Sequence, residues 1–169
     1  CLFMGLAVPT KLDVKLVEAL DRLVSEGFYV SRSEAIREAV RKLTAEQYVS
    51  LRNFLSVVAK IASEVVVLFF GDCVTDVVVF GSVSRGDVTI DSDIDLLVLL
   101  QNRKDYSKFR RALHERVYPI SLASNTPITL VVMAREEFIF WAKSEFSFAR
   151  EIVREGLQLH GDVLSLVKS

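Results

Sequence analysis

Cysteine is scarce in this chain. Of 169 residues only Cys1 and Cys73 carry thiols, too few for a disulfide framework and without the paired spacing of a metal site. That scarcity suits a reducing cytoplasm, and neither thiol points to catalysis. An excess of one charge is missing too. The net charge is −1, so any contact with nucleic acid would rest on local basic clusters and not on a global field. No bilayer-length apolar run is free of charges. The longest, Phe54–Phe70, contains Lys60 and Glu64, which disfavours a membrane span and predicts a buried amphipathic helix. The opening CLFMGLAV lacks the basic flank of a signal peptide. Repeats, low-complexity segments and Pro/Gly-rich linkers are also lacking. His114 and His160 have no partners in sequence, so packing or surface roles suit both. Apolar residues, by contrast, make up 51% of the chain, enough for real cores, which excludes disorder. These features predict a soluble cytoplasmic protein of one domain or two small ones.

The most informative stretch is Gly81–Asp95, GSVSRGDVTIDSDID. A β-branched run, Val77–Phe80, feeds into the Gly-Ser turn, and Asp93 and Asp95 open a second apolar run. Carboxylates at i and i+2 on a strand project from one face. With a small turn nearby, such a pair suits a divalent metal bound together with a nucleoside triphosphate. Asp87, Asp91 and Ser92 read as turn residues.

Ser82 and Asp93 are separated by ten residues. GS-x10-DxD at this spacing, with SRG after the turn, resembles the minimal nucleotidyltransferases of the DNA polymerase β superfamily. The resemblance extends over about residues 52–162, because the ending EIVREGLQLHGD also resembles the close of that family. It implies that Asp93 and Asp95 are catalytic and hold two Mg²⁺ ions, or Mn²⁺ in their place, with ATP as substrate. Gly81 would let the backbone approach the phosphates. Ser82 would bind the β- and γ-phosphates at the start of a short helix, and Arg85 would neutralise the triphosphate. The family usually places a third acid on the next strand. In ITLVV, Thr129 stands at that position. A hydroxyl is a poor Mg²⁺ ligand and no base near neutral pH. The strand is therefore out of register, another group substitutes, or turnover is weak or absent. Glu136 and Glu137 fit a helix start instead.

Upstream, Leu6, Val8, Thr10 and Leu12 alternate as in a strand. Asp13 can cap a helix carrying Leu16, Leu20, Leu23 and Val24, with Gly27 just past its end. Ser31 and Glu34 form a capping box for a second helix, whose inner positions are Ala35, Ile36, Ala39, Val40 and Leu43. This segment, with YVSRSEAIREAVRKL in its second half, resembles ribbon-helix-helix DNA-binding proteins over residues 5–45. The resemblance implies a homodimer, since about forty residues cannot bury a sufficient core alone. It also implies operator DNA as a partner, read by Lys11 on the ribbon and held at a phosphate by Ser31, Arg32 and Ser33. Ala7 and Pro9 offer the bases no hydrogen-bond donor, so a ribbon used only for dimerisation is the competing reading.

The fold class expected is α+β, with a ribbon-helix-helix dimerisation domain over 1–48 followed by a small mixed-sheet α/β nucleotidyltransferase domain over 49–169. The second helix runs on or breaks briefly near Ser50. Beyond it come a helix over Leu51–Phe70, strands Val74–Phe80 and Ile94–Leu100, and a helix over Tyr106–Tyr118. A strand over Ile128–Met133, helices Glu136–Ala142 and Phe146–Glu155, and a strand over Leu157–His160 follow. Trp141, Phe138, Phe140, Phe146 and Phe148 are expected to pack as an aromatic cluster. The resemblance implies an antitoxin that transfers AMP from ATP onto a hydroxyl, such as a tyrosine of a HEPN-type toxin. The alternative is a DNA-binding transcriptional regulator whose nucleotidyltransferase domain is weakly active or inactive and binds nucleotide or a partner. A third reading is a structural, partner-binding dimer.

Overall fold

The structure, a computed structural model, describes residues 11–101, 106–144 and 147–168. The chain divides into two compact units between Gln47 and Tyr48. Most of the ribbon strand expected near the N-terminus, and Phe146 of the aromatic cluster, lie outside the described residues.

In the first unit the capping chemistry appears as the residue types dictate. Helix α1 (Val14–Ser25) is capped by Asp13, whose carboxylate accepts from the Leu16 N–H at 3.0 Å. At its far end Gly27 sits at φ +79°. There the Phe28 N–H donates to the Leu23 carbonyl and the Gly27 N–H to that of Val24, the two bonds of a Schellman cap. Helix α2 (Arg32–Phe70) starts on Ser31, whose Oγ accepts from the Glu34 N–H. The reciprocal bond of the capping box shifts by one residue, since Glu34 Oε2 accepts from the Val30 N–H at 2.7 Å.

The described residues of this unit form no core. Leu16, Leu23, Ile36, Val40 and Leu43, all expected to face inward, are exposed. Among the unit's described residues only Ala35 is buried. Two helices provide too little surface to enclose their own apolar faces.

The second unit has no such shortage. Its sheet has the order β3-β2-β1-β4. The strands are β1 (Val74–Phe80), β2 (Ile94–Leu100), β3 (Ile128–Ala134) and β4 (Leu157–His160). β1 is antiparallel to β2 and to β4, whereas β2 and β3 are parallel. Side chains alternate across the sheet. Val77, Val79, Leu96 and Val98 pack on one face with Leu55, Ala59 and Ala62 of α2 and with Leu113 and Val117 of α4 (Tyr106–Ser124). Val78, Leu97 and Leu99 pack on the other with Phe138, Ala149, Ile152 and Val163. Those four come from α5 (Arg135–Lys143), α6 (Ser147–Glu155) and α7 (Val163–Lys168).

Four expectations need correction. The stretch Phe54–Phe70 is not a simple buried helix. By length and composition α2 could cross a bilayer, yet Leu55, Val58, Ala59, Ala62 and Val66 pack on the sheet while Phe54, Val57, Ile61 and Leu68 face outward. Helix α4 continues past Tyr118 through Pro119 to Ser124. Packing of Leu113, Val117 and Ile120 on the core outweighs the backbone bond that the proline removes. The aromatic cluster does not form as one. Phe138 is fully buried, Phe140 is exposed, and Phe148 packs edge-on against Phe80 with ring centroids 5.7 Å apart.

The fourth is an unforeseen terminal helix, α7, tied down by a buried acid. Asp76 on β1 is fully buried. Its Oδ1 accepts from the N–H groups of Asp162 and Val163, each at 2.8 Å, and its Oδ2 accepts from Arg135 Nε at 2.9 Å. One carboxylate thus joins the central strand to the starts of α5 and α7.

Candidate functional site

β1 and β2 are antiparallel neighbours, and their pairing turns a twelve-residue step in sequence, Ser82–Ile94, into an adjacency in space. Phe80, the last residue of β1, pairs with Asp95, the second of β2. The chain between them opens with the short helix α3 (Gly81–Arg85). A turn in which the Thr89 N–H donates to Ser92 Oγ at 2.8 Å then leads to Asp93. The Gly-Ser turn and both carboxylates consequently meet at one end of the sheet. They line a cleft of about 350 Å³, together with Phe80, Arg85, Phe148, Glu151, Ile152 and Glu155.

Each residue of the turn answers to a local requirement. Gly81 has φ +73°, and a Cβ there would collide with the Asp95 carboxylate. This position tolerates no side chain on both counts. The Oγ of Ser82 is buried and has no hydrogen-bond partner among the described residues. A buried hydroxyl left unpaired is unfavourable, and the residue that carries it lines the cleft beside Asp93 and Asp95. We expect Gly81→Ala to lower stability by about 1–3 kcal/mol, the range for a strained backbone residue, and to displace Asp95. Chemical denaturation with a parallel nucleotide titration checks both effects, and unchanged values for both would remove this role for the glycine.

Electrostatics single out Asp95. Burial pushes the Asp95 carboxyl above the usual carboxylate range and the charge on Asp93 pushes it further, while Arg85 opposes both. Two neighbouring carboxylates with hard oxygen donors fit a divalent cation such as Mg²⁺. No group of three or more His, Cys, Asp or Glu side chains positioned for a metal occurs among the described residues. Thr129 pairs with Asp95 in the β2–β3 ladder, and its hydroxyl donates to Asp93 Oδ2 at 3.4 Å. Arg85 lines the cleft but is already engaged, with Asp87 at 3.2 Å and Glu155 at 3.5 Å. Those acids raise its pKa further. Glu155 is held below the ordinary range by Arg154 and then by Arg85.

Glu151, Glu155, Phe148 and Ile152 belong to the cleft but were not identified as site residues from sequence. Their only sequence signal is the α6 segment FAREIVREG, which places Phe148, Glu151, Ile152 and Glu155 at helical spacing on one face. Lys11, Ser31, Arg32 and Ser33 belong to the first unit and are all exposed. There Ser31 is occupied in capping α2, and Arg32 holds Asp21 through both Nε and Nη2. That pairing draws Asp21 below the usual range.

Comparison with known proteins agrees with this geometry. The nucleotidyltransferase domain family matches residues 58–160, and the copG family of ribbon-helix-helix proteins matches residues 11–47. No curated protein matches the chain. A crystal structure described as a toxin–antitoxin with AMP-PNP is similar over 62% of this chain and 78% of that chain, with 22% identity and a TM-score of 0.43. The first match covers more than half of the chain and includes every residue of the Gly-Ser turn and the Asp93/Asp95 pair. The protein is a member of the nucleotidyltransferase domain family, with a ribbon-helix-helix segment ahead of that domain.

Proposed function

We propose that this protein is a metal-dependent nucleotidyltransferase that moves AMP from ATP onto a hydroxyl, acting as a dimeric, antitoxin-like protein of the cytoplasm. The observation that carries this reading is the meeting of the Gly81–Ser82 turn with Asp93 and Asp95 in one cleft. In the reaction the acceptor oxygen forms a bond to the α-phosphorus and the bond to the β-phosphate oxygen breaks. Pyrophosphate leaves, and the acceptor's proton passes to solvent. Bound Mg²⁺ would neutralise the attacking and leaving oxygens. Asp93 and Asp95 would hold it, Ser82 and the α3 backbone would cradle the terminal phosphates, and Gly81 would keep the approach open. Arg85 would turn from Asp87 and Glu155 toward the triphosphate. A tyrosine of a HEPN-type toxin is the acceptor that the family resemblance implies.

In this reading Thr129 stands where a third acid would complete the site. Its hydroxyl orients Asp93 by hydrogen bonding and takes up no proton. Thr129→Asp is accordingly expected to raise label transfer from ATP by about a hundredfold, the lower end of the range for a general base. The decisive experiment is calorimetry of the wild type with ATP and Mg²⁺, followed by label transfer to a candidate acceptor. Absence of metal-dependent ATP binding would sink the enzymatic reading.

The match over residues 11–47 favours a second activity that can coexist with the first. In it the chain dimerises through its ribbon and binds operator DNA. The exposed apolar faces of the first unit's described residues support the dimer, because a partner chain would cover them. Binding to its own promoter that weakens steeply with salt would support this reading. Binding no tighter than to unrelated DNA would count against it.

A further inference from the structure

The outward face of α2 in the second unit has no partner among the described residues. Phe54, Val57, Ile61 and Leu68 are 46%, 54%, 49% and 79% exposed, and they recur at steps of three, four and seven residues. The opposite face, packed on the sheet, follows a different rhythm: Leu55, Val58, Ala59, Ala62, Ser63 and Val66 are buried at alternating steps of three and one. The inner pattern is the broad stripe of a helix lying on a sheet. The outer one is the narrow, seven-residue repeat that a second helix fills.

Carried back along the sequence, the same alternation of four and three reaches Ser50 and Gln47 and then Leu43, Val40 and Ile36. Those last three apolar residues are exposed in the ribbon-helix-helix segment, whose described residues form no core and whose family pairs with itself. From Ile36 to Leu68 the repeat never slips, and only Gln47, Ser50 and Glu64 interrupt its apolar character. Isolated polar residues at such positions fix register and partner number between like helices at some loss of stability. A lipid surface has no need of a seven-residue phase.

We infer that the outer face of α2 at Phe54, Val57, Ile61 and Leu68 is a self-association surface that takes the same face of a second copy. This extends the dimer beyond the ribbon segment and would bring two nucleotidyltransferase domains together. It rests on the dimeric reading above and adds a contact which that reading does not require.

Cross-linking of the full-length chain tests it, with Cys1 and Cys73 replaced by Ser and one cysteine introduced at a time. At least one of Phe54→Cys, Val57→Cys, Ile61→Cys and Leu68→Cys is expected to form an interchain disulfide about tenfold faster than Lys60→Cys. Lys60 is exposed but off the face, and a disulfide needs Cβ atoms within about 4.5 Å. If all four react no faster than Lys60→Cys while the chain sediments as a dimer, the inference fails and the ribbon dimer stands. A monomeric chain overturns both. Co-flotation with vesicles of mixed neutral and anionic lipid, lost on Ile61→Glu, would assign the face to a membrane and overturn the inference. So would a face whose substitutions weaken only the capture of a different protein.

Discussion

Asp95→Asn is expected to abolish nucleotidyl transfer, with a loss on the order of a thousandfold or more, because a catalytic metal contributes several kcal/mol of transition-state stabilisation. The same change should leave the unliganded protein at least as stable as the wild type. Asp95 is partly buried, and its charged form is disfavoured by that burial and by Asp93. An amide of the same shape removes the repulsion and keeps the packing against Gly81. The pairing of lost function with retained or raised stability marks a group placed for a ligand and not for the fold. Label transfer from ATP and thermal unfolding, measured on one preparation, test both halves. Transfer within tenfold of the wild type would remove Asp95 from the metal site, and a large fall in unfolding temperature would make it a structural residue.

The second large effect is structural and lies away from the cleft. Asp76→Ala is expected to destabilise the nucleotidyltransferase unit by about 3–5 kcal/mol, the range for breaking a buried, hydrogen-bonded ion pair from one side. The substitution leaves two backbone N–H groups at the start of α7 without their acceptor and frees Arg135 from its buried partner. Urea unfolding followed by circular dichroism reads this directly. A shift below about 1 kcal/mol would mean that water or the neighbouring Gln158 takes over the carboxylate's role. Since Asp76 lies outside the cleft, ATP affinity of the folded fraction should be nearly unchanged, which separates this variant from Asp95→Asn.

The sequence legible at the start covered most of the strands and helices. Period-two runs, the Asp13 and Ser31 caps and Gly27 are local signals that neighbouring residues satisfy among themselves. The site was half legible. Gly81, Ser82, Arg85, Asp93 and Asp95 sit within one loop and two strand ends, so their spacing alone announced them. Glu151 and Glu155 were not announced, because α6 reaches the cleft only after the chain has passed through one more strand and two more helices. Helix α4 outran its expected end at Tyr118, since its core packing outweighs the backbone bond that Pro119 removes.

By itself, then, the sequence determined two modules, their order, and a carboxylate pair set beside a Gly-Ser turn. Tertiary structure alone decided that the Ser82 hydroxyl is buried without a partner among the described residues, that Asp76 anchors the terminal helix, and that only one face of α2 is used by the sheet. The physical reason is range. Capping, alternation and turn geometry act over a few residues, whereas burial and pairing depend on which distant segments the sheet brings side by side.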